Sequence, residues 1–178
     1  MIISISGPPG SGKTSVAKIV ASRYSLELLS AGAIFREMAS KANTDVVSMN
    51  RRAERVFDVD KLVDQTVAKR AARGNIVVES HINSWLLAGI ADILVYLNAP
   101  LQERANRIAK RDGISYPEAL RQIVERENSH YKRFKRYYGI DITDLRSFDL
   151  TVNTAKVSPT AVADMIDRLV EEIKHKRS

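Results

Sequence analysis

Residues Gly7-Pro8-Pro9-Gly10-Ser11-Gly12-Lys13-Thr14 complete the pattern G-x-x-x-x-G-K-[ST], and no other segment restricts the fold of this chain so tightly. The short apolar run from Ile2 to Ser6 precedes it and a helical pattern opens at Lys13, the strand, loop and helix context that the pattern requires. Glycines at these spacings let the backbone wrap closely around an anion, with successive N–H groups turned inward and the positive end of the next helix adding to the attraction. Lys13 is then placed to neutralise the β and γ oxygens of a nucleoside triphosphate, and the Thr14 hydroxyl to coordinate Mg²⁺. The stretch from Gly7 to Ser15 is therefore the expected nucleotide-binding loop. A fortuitous Gly/Ser-rich turn would need neither three glycines at these positions nor a Lys-Thr pair at a helix start. ATP is the expected nucleotide, because no Asn-Lys-x-Asp segment stands where a GTPase would read guanine.

Beyond the loop, short apolar runs alternate with longer periodic stretches, which indicates an α/β fold with a parallel sheet. The expected strands are Ile2 to Ser6, Glu27 to Ser30, Asn75 to Glu79, Ile93 to Asn98 and Leu150 to Asn153, all rich in Ile, Val or Leu as strands covered on both faces should be. Helices are expected near residues 13–24, 32–42, 58–73, 101–112 and 116–137. A last helix starts from a Ser158 cap and Pro159, with Val162, Met165, Ile166, Leu169, Val170 and Ile173 on one stripe. Residues 40–61 are polar and interrupted, and residues 102–138 are crowded with Arg, Lys and Tyr, so both suit excursions from the sheet over a ligand. The terminal Lys174-His175-Lys176-Arg177-Ser178 is expected to be a frayed, solvated helix end.

With 178 residues, 44% of them apolar, the chain can bury one core and is expected to form one domain, 1–178, as a monomer. Its 28 Lys and Arg against 21 Asp and Glu leave a charge of +7, so its partners should be anions: nucleic acid, a membrane surface or phosphorylated small molecules. The absence of Cys excludes disulfides, thiolate nucleophiles and Cys-based zinc sites, and fits a reducing compartment. The N-terminus lacks the pattern of a signal peptide and no run approaches the roughly 20 apolar residues of a membrane span, so a cytoplasmic location is expected.

A phosphate loop is shared by motors, switches, transporters and kinases, so the reaction must be read from the other half of the chain. Direct phosphoryl transfer between two polyanions needs fixed positive charge and exclusion of water. Arg36 lies one turn into the helix after Ser30-Ala31-Gly32 and can reach back over the carboxyl edge of the sheet, where ligands bind in open α/β folds. Arg104, Arg107 and Arg111 share one helix face, as do Arg126 and Arg133 two turns apart. Arg51, Arg52, Arg55, Lys69, Arg70 and Arg73 are better read as solvated helix faces. Glu79 ends the third strand, where a carboxylate either holds a water of the Mg²⁺ shell or makes an ordinary ion pair. His81 and His130 lack metal-ligand spacing, and Trp85 reads as packing. The competing reading is an acceptor such as AMP or another small molecule, or a nucleotide-switched protein whose basic 126–136 segment grips RNA. No recognised RNA-binding motif supports the latter, so nucleotides rather than nucleic acid are the expected partners.

Several blocks together resemble the cytidylate kinases of archaeal type: Ser6 to Thr14, Ser30-Ala-Gly-Ala-Ile-Phe-Arg36, Arg104-Ala-Asn-Arg-Ile-Ala-Lys-Arg-Asp-Gly-Ile-Ser115, Tyr137-Tyr-Gly-Ile-Asp-Ile-Thr-Asp-Leu145 and Asp149-Leu-Thr-Val-Asn-Thr154. The first block is common to P-loop kinases, whereas the second and fourth are particular to this type. The resemblance implies a three-layer P-loop nucleoside monophosphate kinase fold with a central five-stranded parallel sheet. It implies an acceptor-binding region at about residues 31–73 and a lid at about 102–138. It implies transfer of the γ-phosphoryl group of ATP, with Mg²⁺, to CMP or dCMP in pyrimidine nucleotide metabolism. By the same likeness Arg36 would bind the acceptor phosphate, and Arg104, Arg126 and Arg133 would hold acceptor and transferring phosphates; Lys13, Arg126 and Arg133 are the expected catalytic residues, Ser30 and Arg107 join the expected acceptor-binding set, His81 or Ser80 is expected to take over part of an acceptor-phosphate role, and Thr14 and Glu79 are expected to serve the metal. One departure stands out: many members read Glu-Gly-Arg where this chain reads Glu79-Ser80-His81, and a neutral imidazole is a weaker phosphate ligand than a bidentate guanidinium.

Overall fold

The structure, a computed structural model, describes residues 1–177. In chain order its elements are β1 (Ile2–Ser6), α1 (Lys13–Arg23), β2 (Glu27–Ser30), α2 (Ala31–Lys41), α3 (Val46–Arg55), α4 (Asp58–Ala71) and β3 (Ile76–Ser80), followed by α5 (Asn83–Leu86), β4 (Ile93–Asn98), α6 (Leu101–Asp112), α7 (Tyr116–Tyr138), β5 (Leu150–Asn153) and α8 (Pro159–Arg177). The strands form one parallel sheet in the order β2-β3-β1-β4-β5. Alternating side chains of its strands feed two separate cores, as a sheet covered on both faces requires. Ile3, Ile5, Val77, Val95 and Val152 pack with Val16 and Val20 of α1 and Val162, Ile166 and Val170 of α8. Ile76, Val78 and Leu29 meet Val63, Val67 and Ala71 of α4 on the other face. The expected three-layer arrangement is thus observed.

The order of connection reverses at β1, which places the glycine-rich loop in the crevice at the carboxyl ends of the strands. Four of the five strands have the expected bounds; the third begins at Ile76 because Asn75 has φ 51°, outside extended space, and runs one residue past Glu79 to Ser80, which pairs with Ser6 of β1. Ser158 caps α8 as expected, its Oγ accepting from the Ala161 N–H at 3.1 Å. That helix runs to Arg177, with Lys174, His175 and Lys176 exposed as a solvated helix end should be, and Ser178 lies outside the described residues. Two elements differ from expectation. The polar stretch 40–61 contains α3, whose start is capped by the Asp45 carboxylate accepting from Ser48 N–H at 2.9 Å and whose Met49 and Ala53 are buried beside Ala39 and Val59. A single turn, α5, follows β3, with Ser80 Oγ accepting from Asn83 N–H at 2.7 Å. Trp85 of α5 packs edge-on to Tyr96 and Phe148 and donates to the Asp144 carbonyl at 2.9 Å. Among the described residues no helix is long and apolar enough to cross a membrane.

Candidate active site

The backbone carbonyls of the glycine-rich loop from Gly7 to Ser11 are each held by a side-chain donor. His81 Nδ1 meets Gly7 O at 2.9 Å, Lys13 Nζ donates to Pro8 O at 2.9 Å and Arg104 Nη1 donates to Pro9 O at 3.2 Å. Arg107 Nη1 donates to Gly10 O at 3.4 Å and Thr154 Oγ1 to Ser11 O at 3.0 Å. With the carbonyls so tied, the loop can present N–H groups to phosphate without reorganising, which is the electrostatic preorganisation that catalysis of phosphoryl transfer needs. Glycine is obligatory here for space as well as conformation: a Cβ on Gly7 (φ +151°) would run into the Leu97 carbonyl, and one on Gly10 (φ +79°) would stand 2.8 Å from the Arg104 carbonyl oxygen.

Lys13 opens α1, is only 6% exposed, and lies in a field of cations. Burial pushes its ammonium down to about 8; Glu79 opposes the shift, while Arg126, Arg104 and Arg111 add to it. Such crowding of positive charge about a buried lysine suits a polyanionic ligand. Glu79 is 6% exposed and its Oε2 has no hydrogen-bond partner, so a buried carboxylate oxygen is left for a ligand's water or metal shell. Thr14 is exposed on the first turn of α1. Since Lys13 must carry charge to hold the phosphates, kcat/KM for ATP should decline above about pH 8, while kcat should hold to higher pH because bound phosphate restores the lysine's affinity for its proton. A kcat/KM profile that stayed flat well above that value would contradict the assignment.

Opposite the loop stand the arginines. Arg36 is exposed and folds back one turn, so that a Cβ on Gly32 would lie 3.3 Å from its Nη1 and 3.8 Å from Ser30 Oγ. Ser30 Oγ caps α2 by accepting from Ala33 N–H at 3.2 Å. Burial lowers the Arg126 pKa, and the charges of Arg111, itself paired with Asp112 at 2.6 and 2.7 Å, and of Arg36 lower it further, so the three cations lie near enough to repel one another. Arg104 and Arg107 sit against the glycine-rich loop instead. Besides bracing the loop, Arg104 is paired with Glu127 at 2.6 Å, and Arg107 donates to Thr154 Oγ1 and O at 2.9 and 2.8 Å. Arg133 is buried, its Nη1 within 2.7 and 2.8 Å of the two Asp60 oxygens and its Nη2 donating to Asn50 Oδ1 at 3.1 Å.

His81 occupies the position where the related pattern carries Arg. Gly7 O can only accept, so Nδ1 bears the proton, and Nε2 is left to accept a long 3.5 Å bond from Arg126 Nη2. Burial, with Lys13, His130 and Arg126 nearby, holds His81 neutral far below the usual histidine range; burial with Arg133 does the same for His130, 4.4 Å away ring to ring. His81 therefore ties Arg126 to the phosphate loop. Replacing it with Phe keeps ring packing but removes both hydrogen bonds. It should lower kcat/KM for the phosphoryl acceptor by roughly ten-fold, about the worth of one or two ordinary hydrogen bonds, with KM for ATP changed far less. Steady-state kinetics with each substrate varied in turn would check this, and an unchanged kcat/KM would remove His81 from the site.

A model of the cytidylate kinase-like family matches residues 2–156. The chain is 51% identical over 168 residues to a cytidylate kinase of Sulfurisphaera tokodaii, covering 94% of this chain and 93% of the relative. It is 52% identical over 167 residues to a cytidylate kinase of Sulfolobus acidocaldarius, covering 93% and 92%. In three dimensions it resembles the shikimate kinase of Bacteroides thetaiotaomicron with a TM-score of 0.61 and 14% identity, over 98% of each chain, a likeness of fold alone.

Proposed function

The chain belongs to the cytidylate kinase-like family, and from that premise we propose that it transfers the γ-phosphoryl group of ATP to CMP, and to dCMP in its place, giving the nucleoside diphosphate and ADP. The observation that carries this reading is a glycine-rich loop whose carbonyls are tied by side-chain donors, beside a buried Lys13 and an Arg126 joined to the loop through His81, with Arg36 and Arg111 near enough to Arg126 for their charges to repel it. Such a gathering of cations suits two polyanions brought end to end. An oxygen of the acceptor phosphate attacks the γ phosphorus in line and ADP departs, so no side-chain nucleophile takes part. Lys13 balances charge on the β and γ oxygens, Arg36 fixes the acceptor phosphate, and Arg126, oriented through His81, closes over the charge shared in transfer. Arg104 and Arg107 act from behind the loop by holding Pro9 and Gly10 in place.

Mg²⁺ fits this donor set. Thr14 would supply a hydroxyl and the unpaired Glu79 oxygen would hold a water of its shell, while the ion lowers the charge repulsion between nucleotide phosphates. Among the described residues no three His, Asp or Glu gather into a cage, which leaves most of the coordination to the nucleotide itself. Residues 31–73 would serve as the acceptor-binding region and 102–138 as the lid that excludes water.

ADP formation from ATP and Mg²⁺, with CMP, dCMP, UMP, AMP and GMP offered separately beside a blank without acceptor, tests the proposal. Turnover with CMP or dCMP far above the others is expected. Preference for AMP would overturn the acceptor, and hydrolysis equal to the blank with every acceptor would overturn the kinase.

A further inference from the structure

Helix α7 is fastened to the glycine-rich loop through two consecutive residues. Arg126 reaches Gly7 by way of His81, its Nη2 lying 3.5 Å from Nε2 while Nδ1 donates to Gly7 O at 2.9 Å. Glu127 reaches Pro9 by way of Arg104, whose Nη1 donates to Glu127 Oε1 at 2.6 Å and to Pro9 O at 3.2 Å. The two routes are unequal in strength. The first passes through a long contact with a neutral imidazole, which fixes a guanidinium poorly. The second is a short charge-assisted bond from a guanidinium only 8% exposed, whose Nε also donates to Ala99 O at 2.9 Å.

Arg104 is moreover a rigid anchor on the loop side. Its backbone packs so closely on Gly10 that a Cβ there would stand 2.8 Å from the Arg104 carbonyl oxygen. Arg126 lacks such an anchor: its Nε is enclosed without a partner, so the height of its guanidinium over the loop depends on where α7 itself sits. The contacts of α6 with α7 through Ala105, Ile108, Ala119 and Ile123 are apolar and non-directional, and define register along the axis less sharply than an ion pair does. Arg133 ties α7 to Asp60 of α4 rather than to the loop. The pairs of Arg121 with Glu118 and Glu125, and of Arg51 with Glu125, use arginines that are 57% and 67% exposed, and such pairs contribute little. Glu127 is left to register α7 against the loop.

We propose that Glu127 is a positioning residue for phosphoryl transfer: through Arg104 it sets α7 against the glycine-rich loop and thereby holds Arg126, its neighbour in sequence, over the transferring phosphate. The inference rests on the kinase reading above and adds the side chain that joins its donor and acceptor halves. Because Glu127 acts through geometry, its contribution falls on kcat, where a misplacement of about 1 Å is felt most, and not on the binding of either nucleotide. Reach also matters more than charge. A carboxylate one methylene shorter keeps the charge and loses the reach, whereas an amide of equal length keeps an accepting oxygen in place.

The test measures Tm, kcat and KM for ATP and for CMP in the wild type, Glu127→Ala, Glu127→Asp and Glu127→Gln. Glu127→Ala and Glu127→Asp should lower kcat by roughly ten-fold with both KM values and Tm nearly unchanged, and Glu127→Gln should recover most of the turnover. Turnover of Glu127→Asp equal to or above that of Glu127→Gln would make the effect one of charge and overturn the proposal. So would a rise in KM at full kcat, or a loss of kcat confined to variants with lowered Tm. Should Glu127→Ala fail to fold, the comparison of Asp with Gln decides alone. Added to Arg126→Met, Glu127→Ala should cost little further kcat, since the group it positions is already gone; an undiminished ten-fold loss there overturns the route through Arg126. A wild type that phosphorylates no CMP sinks the kinase reading and this inference with it, whereas an active wild type with unaffected variants sinks this inference alone.

Discussion

Lys13→Met should lower turnover of CMP with ATP by about three orders of magnitude, the scale on which preorganised cations act in phosphoryl transfer. The variant should nevertheless fold as well as the wild type. Lys13 is 6% exposed, and burial has already pushed its ammonium down to about 8, so the folded protein holds this charge against its preference. A thioether of similar length fills the same space without that penalty and loses only the bond to the Pro8 carbonyl. Tm should therefore be equal or higher while activity disappears. Lys13→Arg should not restore turnover, because the wider guanidinium cannot occupy the point at which a lysine ammonium meets the β and γ oxygens. Retention of more than about a tenth of wild-type turnover in Lys13→Met would contradict the central role given to this residue.

The contrast between Lys13 and the arginines shows which parts of the site are legible in a sequence. The loop from Gly7 to Thr14 is local: its spacing, the strand before it and the helix after it fix where each group lies. Strands buried on both faces are legible for the same reason, as Ile2–Ser6 and Ile93–Asn98 are dominated by Ile, Leu and Val. Arg104, Arg107 and Arg111 share a helix face, but which of them meets the acceptor depends on how α6 packs on the loop. Arg104 and Arg107 meet Pro9 and Gly10, and Arg111 is the one whose charge reaches Lys13 and Arg126. Helix α3 was hidden because its buried side is small, Met49 and Ala53 with Asn50, on an otherwise polar segment. Contacts such as His81 with Gly7 and Arg133 with Asp60 join residues more than 70 positions apart, and no local pattern announces them.

Arg133→Met should cost about 3–5 kcal/mol of stability, the usual consequence of removing one partner from a buried ion pair. Arg133 and Asp60 are almost inaccessible to solvent and touch through two bonds of 2.7 and 2.8 Å, so the substitution leaves a carboxylate in a medium that solvates it poorly. Burial already holds the Asp60 carboxyl up at about 6 despite Arg133, with neighbouring Asp64 adding to the rise. Without Arg133 that value must climb further. The sign of the pH dependence follows: a carboxyl whose pKa in the folded state exceeds its unfolded value adds stability when protonated and loses that contribution as pH rises through the folded pKa. The deficit of Arg133→Met should thus be greatest at alkaline pH, shrink as pH falls through the variant's raised Asp60 pKa, and level off below about 6, where the wild-type carboxyl is protonated as well. Pairing the substitution with Asp60→Leu should recover most of the loss, because a well-packed apolar pair is no less stable than a buried ion pair. Urea unfolding of wild type, single and double variants at neutral and mildly acidic pH would measure each step. A single variant as stable as the wild type at neutral pH would mean that Asp60 finds another partner or reaches water, and that the Asp60–Arg133 pair does not lock α4 to α7.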